Sequence, residues 1–152
     1  MRVAIVGLNG KGGAHLKEFQ KIPGVTIAAL CDVDSQVLAK RTQELAKNKL
    51  KTTTYADYRK VLENRDIDAV VIATPNHRHA LMASWGLQAG KDVYVEKPVS
   101  HNVWEGRKIV EAARQDCAPR HWAFRRVKNA APSRAVASAE SGKSVASPES
   151  KG

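Results

Sequence analysis

The residues of this chain that could do chemistry fall into three short runs. The first, Gly7-Leu-Asn-Gly-Lys-Gly-Gly13, follows the apolar stretch Val3 to Val6. Glycines placed there let the backbone turn tightly and approach a pyrophosphate with no Cβ in the way. The helix that follows aims its free N–H groups and positive dipole end at the same phosphates. Against the spacing G-x-G-x-x-G the matching positions are Gly7, Asn9 and Gly12, with Gly10 inside the turn. Asn9 departs from the pattern. Asn is the non-glycine residue that best tolerates positive φ, and its side chain can crowd the pyrophosphate. Taken alone, the run reads equally well as a plain strand-to-helix turn.

The second run, Val25-Thr-Ile-Ala-Ala-Leu-Cys-Asp32, is another apolar stretch. It ends in a carboxylate about 20 residues past the glycines, as the dinucleotide pattern requires. Asp32 at that place accepts hydrogen bonds from both adenine-ribose hydroxyls and repels a 2′-phosphate, which favours NAD over NADP. The alternative is that Asp32 or Asp34 caps a helix beginning near Ser35.

The third group comes after two further apolar stretches. Thr74-Pro-Asn-His-Arg-His79 follows Ala69-Val-Val-Ile-Ala73, and Glu96-Lys-Pro98 follows Asp92-Val-Tyr-Val95. Pro75 stiffens its turn, Asn76 can cap the next helix, and His79 falls in that helix's first turn beside the expected cofactor. Pro98 keeps Lys97 extended, with a cis bond open to it, and so fixes an ammonium at the crevice mouth. Each also has a plain reading: Glu96 and Lys97 as a surface ion pair, Asn76 as a cap.

These runs need elements to hold them in one place. The chain alternates apolar strands near 2–6, 25–31, 51–54, 69–73 and 92–95 with helices near 13–21, 35–46, 57–63, 77–89 and 102–115. Strictly alternating elements force parallel strands joined by right-handed crossovers, with helices on both faces. The expected fold class is therefore α/β, a Rossmann-like doubly wound parallel sheet of order 3-2-1-4-5. Its crevice lies at the carboxyl ends of the first and fourth strands.

Together the runs resemble the N-terminal NAD(P)-binding domain of the glucose-fructose oxidoreductase, inositol dehydrogenase and rhizopine catabolism family, written Gfo/Idh/MocA. The resemblance rests on the Gly7 to Gly13 turn, Cys31-Asp-Val-Asp34, Tyr55 with Asp57-Tyr58, Ala73 to His79, Gly90 to Pro98, and the helix through Ala113. It covers about the first 114 positions. It implies an NAD(P)-dependent sugar or polyol dehydrogenase domain. In that family the lysine at the position of Lys97 contacts substrate and nicotinamide and is required for activity. It further implies that Thr74, Pro75, Asn76, His79 and Glu96 shape the cofactor site.

After Arg114 the family would continue with a sixth strand, a Gly-x-Gln-x-Arg segment and a substrate domain, and this pattern stops. Residues 1–115 are therefore expected to form the cofactor domain, and 116–152 a disordered basic tail or the product of a frameshift. One permitted codon choice for Trp122 to Asn129, read two bases later, encodes Gly-Ile-Gln-Thr-Arg. Of the net charge of +10, half lies after Ala113, where eight Lys and Arg face only Asp116, Glu140 and Glu149. A basic tail can bind phosphate backbones without sequence preference. It carries no recognisable reader module, so no specific nucleic-acid partner is expected.

The remaining composition narrows the class. No apolar run approaches the roughly 20 residues that span a bilayer, and no signal segment precedes the first strand, so a cytoplasmic protein without a membrane partner is expected. Cys31 and Cys117 have no metal or redox spacing and read as free thiols. His77 and His79 lack zinc-ligand partners, and no metal is expected. The favoured function is hydride transfer between NAD and a sugar or polyol, with Lys97 as the catalytic cation. The chain alone is expected to be inactive for want of a substrate domain, and to self-associate through its fifth strand. The alternative is a noncatalytic NAD-binding or interaction module.

Overall fold

Valine, isoleucine and alanine fill the strands because a parallel sheet covered on both faces offers neither face to water. In the computed structural model, which describes residues 1–48 and 50–115, the strands are β1 (Arg2–Val6), β2 (Thr26–Cys31), β3 (Thr53–Tyr55), β4 (Ala69–Ile72) and β5 (Asp92–Val95). Every residue of β4 is buried, and so is all of β1 after Arg2. The helices are α1 (Lys11–Phe19), α2 (Ser35–Lys47), α3 (Tyr58–Glu63), α4 (His79–Gln88) and α5 (Val103–Gln115), with a single 3-10 turn, Asn76–Arg78, leading into α4. All pairings are parallel and the strand order is β3-β2-β1-β4-β5, the order expected from the alternation.

Side chains alternate across each strand, so the sheet carries two cores. Ala4, Val6, Val70, Ile72, Val93 and Val95 pack on Tyr58 and Val61 of α3, Ala83 and Leu87 of α4, and Ile109 of α5. Val3, Ile5, Ile27, Leu30 and Val71 pack on Leu16 of α1 and on Leu38 and Leu45 of α2. The order reverses between β1 and β4, and the two sets of helices diverge there.

Register then places the site. Val6 pairs with both Cys31 and Ile72, and Ile72 pairs with Val95. Four strands therefore end level, and the next residues, Gly7, Asp32, Ala73 and Glu96, lie along one edge.

Several boundaries differ from the sequence reading by one or two residues, and two of the shifts have a local cause. α1 begins at Lys11, two residues early, because the chain can enter the helix directly from Gly10. β3 runs to Tyr55, whose carbonyl accepts from the Asp32 N–H at 3.2 Å and so extends the pairing with β2. Among the described residues no helix is long and apolar enough to cross a membrane. The basic tail, Cys117, the frameshift segment and the boundary at 116 lie outside the described residues.

Candidate functional site

A crevice of about 1220 Å³ opens along the level strand ends, between the two sets of helices. Gly7, Asn9, Asp32, Thr74 to His79, Glu96 and Lys97 all line it. Residues as far apart in sequence as Gly7 and Lys97 thus meet because four strands stop in register.

The glycine turn is built by geometry that only glycine satisfies. Gly7 has φ +81°, and a Cβ there would lie 2.8 Å from the Ala73 carbonyl. Its N–H donates to the Cys31 carbonyl at 2.9 Å, closing the gap between β1 and β2. Gly10 supplies the second left-handed residue, φ +70°, immediately before α1. A Cβ on Gly12 would sit 1.6 Å from the Gly7 carbonyl oxygen. Positive φ thus falls on Gly7 and Gly10, while Gly12 is required for close approach. Asn9 is exposed at the lip of the turn.

The two carboxylates after β2 divide their work. Asp34 caps α2, its Oδ1 accepting from the Gln36 and Val37 N–H groups at 2.8 and 3.3 Å. Asp32 does not cap the helix. Its Oδ2 accepts from the Leu8 N–H at 2.7 Å, inside the glycine turn, and its Oδ1 accepts from the Asp34 N–H at 3.0 Å. A carboxylate has about four acceptor sites, so Asp32 retains capacity for two hydroxyl donors. Beneath it Cys31 is buried, and burial, with the charges of Asp32 and Asp57 adding to it, pushes its thiol up to about 12.

On the other side of β1, the two loops are joined by a histidine. His79 is 1% exposed, with Nε2 2.7 Å from the Thr74 carbonyl oxygen and Nδ1 2.7 Å from that of Pro98. Both ring nitrogens face backbone carbonyls, so His79 forms crevice floor and presents neither nitrogen to a ligand. Asn76 opens the 3-10 turn, and no side chain caps that turn or α4, which leaves Asn76 exposed in the crevice. Thr74 donates its hydroxyl to Met82 Sδ at 3.5 Å.

Glu96 and Lys97 are not an ion pair with each other. Glu96 Oε1 pairs with His15 Nε2 at 2.5 Å, and Oε2 accepts from the backbone N–H of Lys97 at 3.2 Å. The Lys97 side chain is exposed and, among the described residues, its ammonium makes no hydrogen bond or ion pair. The Lys97–Pro98 peptide bond is cis.

Three residues of the site region carry no motif in the sequence. Lys11 lines the crevice at the start of α1. Arg41 reaches from α2 to the Leu8 carbonyl at 3.4 Å and holds Glu44 at 2.8 Å. His15 carries a faint signal, its i,i+4 spacing with Phe19 on one face of α1, but nothing local joins it to Glu96. Among the described residues no cluster of His, Cys, Asp or Glu could hold a metal ion.

Known proteins resemble this chain over the same stretch. The chain is 38% identical over 118 residues to a glycosyl hydrolase family 109 protein of Shewanella pealeana, and 33% identical over 118 residues to an alpha-N-acetylgalactosaminidase of Shewanella oneidensis. Each alignment covers 74% of this chain and 26% of the relative, so the chain spans about a quarter of their length. Among solved structures, myo-inositol 2-dehydrogenase from Lactobacillus plantarum matches with a TM-score of 0.66 and 33% identity, over 76% of this chain and 33% of that one. The model of the oxidoreductase family with an NAD-binding Rossmann fold matches residues 1–119, and on that match the chain belongs to Gfo/Idh/MocA.

Proposed function

We propose that the domain binds NAD along the crevice and presents its nicotinamide beside Lys97, for hydride transfer to or from a sugar or polyol. The observation that carries this reading is the row of level strand ends, which brings the glycine turn, Asp32, the Asn76 loop and Lys97 into one crevice. The cradle fits the cofactor. Its turn closes tightly because Gly7 and Gly12 carry no Cβ to strike the backbone, Gly10 leaves open space at the start of α1, and Asp32 keeps acceptor sites for a ribose diol.

Bound NAD supplies the hydride acceptor or donor. The chain's own residues position it. Gly7, Asn9, Gly10 and Gly12 hold the pyrophosphate, Asp32 the adenine ribose, and Thr74, Pro75 and Asn76 the nicotinamide half. The Lys97 ammonium, free of other partners among the described residues, polarises the reacting oxygen. Asp32 makes NAD the preferred cofactor, since its carboxylate would repel a 2′-phosphate.

Titration of the protein with NADH and NADPH tests this reading. NADH should bind more tightly, and Asp32→Ala should weaken it about tenfold by removing charge-assisted hydrogen bonds. Equal affinities before and after the substitution refute the assignment. The 152 residues alone are expected to bind without turnover, because the described residues build only the cofactor side of the crevice. Dehydrogenation of a sugar or polyol that vanishes in Lys97→Ala would contradict that.

The glycosyl hydrolase relatives support a second reading, in which the net reaction is cleavage of a glycoside by water. The two readings differ in cofactor balance. A dehydrogenase accumulates NADH from NAD and a polyol, whereas a hydrolase releases 4-nitrophenol from a nitrophenyl glycoside with no net NADH.

A further inference from the structure

The end of β5 is fastened to α1 by a contact that the cofactor reading does not use. His15 lies one turn into the helix that begins at the glycine turn. Its ring is set edge-on to Tyr94 at 5.3 Å and to Phe19 at 6.3 Å, and those two rings are themselves edge-to-face at 6.3 Å. This packing aims Nε2 at Glu96 Oε1, 2.5 Å away, with the His15 and Glu96 side chains only 12% and 17% exposed. A carboxylate accepts and does not donate, so His15 Nε2 carries the proton. Glu96 uses its other oxygen to accept from the backbone N–H of Lys97. The chain of contacts therefore runs from α1, through an imidazole and a carboxylate, to the backbone of Lys97, whose ammonium has no partner among the described residues.

We propose that His15 is a positioning residue: through Glu96 it fixes the Lys97 turn relative to the glycine turn, and so aligns the nicotinamide half of the site with the phosphate half. In a doubly wound sheet the two halves of a dinucleotide lie over the two halves of the sheet. The His15–Glu96 pair crosses from the helix that serves the phosphates to the strand end that serves the nicotinamide. The inference rests on the cofactor reading above, and it makes a distinction that general loss of packing does not. Without the pair, the phosphate and adenosine contacts persist while the nicotinamide end loses its wall.

The test compares NADH with ADP-ribose, which lacks the nicotinamide, in the wild-type protein, His15→Leu and His15→Gln. In His15→Leu, NADH affinity should fall about tenfold, the scale of one charge-assisted hydrogen bond, while ADP-ribose affinity is unchanged. His15→Gln, which keeps an N–H donor, should restore NADH binding. A readout free of cofactor is the Lys97 backbone amide in a 1H–15N spectrum. It should shift and exchange faster in His15→Leu, and stay near its wild-type position in His15→Gln. Equal weakening of both ligands by His15→Leu, or a Lys97 amide indifferent to the substitution, overturns the proposal. If the wild type binds neither ligand while the Lys97 amide responds as described, the cofactor reading falls and the link from His15 to Lys97 stands.

Discussion

The carbonyl oxygen of Gly7 occupies the place a side chain on Gly12 would need, with only 1.6 Å between that oxygen and an added Cβ. The obstructing atom is backbone, and its peptide plane is held by the Leu8 N–H, which donates to Asp32 Oδ2 at 2.7 Å, so it cannot swing away. Gly12→Ala should therefore cost about 3 kcal/mol, the upper range for overpacking, and displace the turn. Gly13→Ala meets instead the Arg41 guanidinium, 2.4 Å away at the end of a flexible side chain, and should cost far less. Urea unfolding of the two variants gives the comparison; equal losses would show that the turn is looser than its geometry states.

Stability should fall in mild alkali. The Cys31 thiol is pushed from 9.0 up to about 12, chiefly by burial. Between those values the unfolded chain has released the proton and the folded one has not, so unfolding becomes easier as pH rises, by up to about 1.4 kcal/mol per unit. Tyr58, raised above 10.0 by its own burial, acts in the same direction further up. Below pH 9 the thiol's contribution is complete. Urea midpoints measured from about pH 8 to about pH 11 should decline in the wild type and decline less in Cys31→Ala.

The same burial should make Cys31 inert. In a Cys117→Ser background, Ellman's reagent at about pH 8 should label the folded protein slowly, because the thiolate is the attacking species, and label it fully in urea. Rapid labelling of the folded protein would mean that the end of β2 opens readily.

At the opposite end of the sheet, Lys91 is buried with its ammonium donating to the Asn64 and Ile67 carbonyls, both at 2.8 Å. Lys91→Met leaves two carbonyls without that donor and should cost about 1–3 kcal/mol. It lies at the amino end of β5, remote from the crevice, so NADH affinity should not change. A variant that loses binding but not stability would reverse this assignment.

The outer edge of β5 should be the reactive edge of the described fold. Asp92 and Glu96 donate to the Asp68 and Ile72 carbonyls beside β4, so in a parallel ladder the alternate amides, Val93 and Val95, face away from it. They should exchange hydrogen faster than Ala4 and Ile5 in the centre of the sheet, and light scattering should grow with protein concentration and with salt, as charge repulsion is screened. Full protection of both amides would mean that a further strand covers this edge.

Much of this architecture was legible because its signals are local and periodic. Apolar strands alternating with helices specify a parallel, doubly wound sheet, and the glycine turn followed by Asp32 selects the dinucleotide-binding strand order over the other common one. Asp32 was recognisable by its distance from the glycines, but spacing could not separate it from Asp34 as the helix cap; that needed the side-chain direction, which sends Asp32 to the Leu8 amide. Asn76 and His79 show the same limit. Both stand in the right loop, yet one is exposed and the other turns both nitrogens to backbone carbonyls, a difference of direction that no pattern of residue types encodes. The His15–Glu96 pair was illegible for a further reason: its partners are 81 positions apart and meet only once the sheet has set their register.

Asp32 gives one side chain two duties that its removal would abolish together. Oδ2 braces the Leu8 amide of the glycine turn, and in the proposed binding mode the same carboxylate meets the ribose. An attempt to convert this domain to NADP by replacing Asp32 with alanine or a basic residue would remove the repulsion and the brace together. The turn would then loosen for both cofactors, and selectivity would change only at the expense of affinity. A successful switch needs a side chain that admits the extra phosphate and still accepts from the Leu8 amide, which makes Asp32→Asn and Asp32→Ser better starting points than Asp32→Ala.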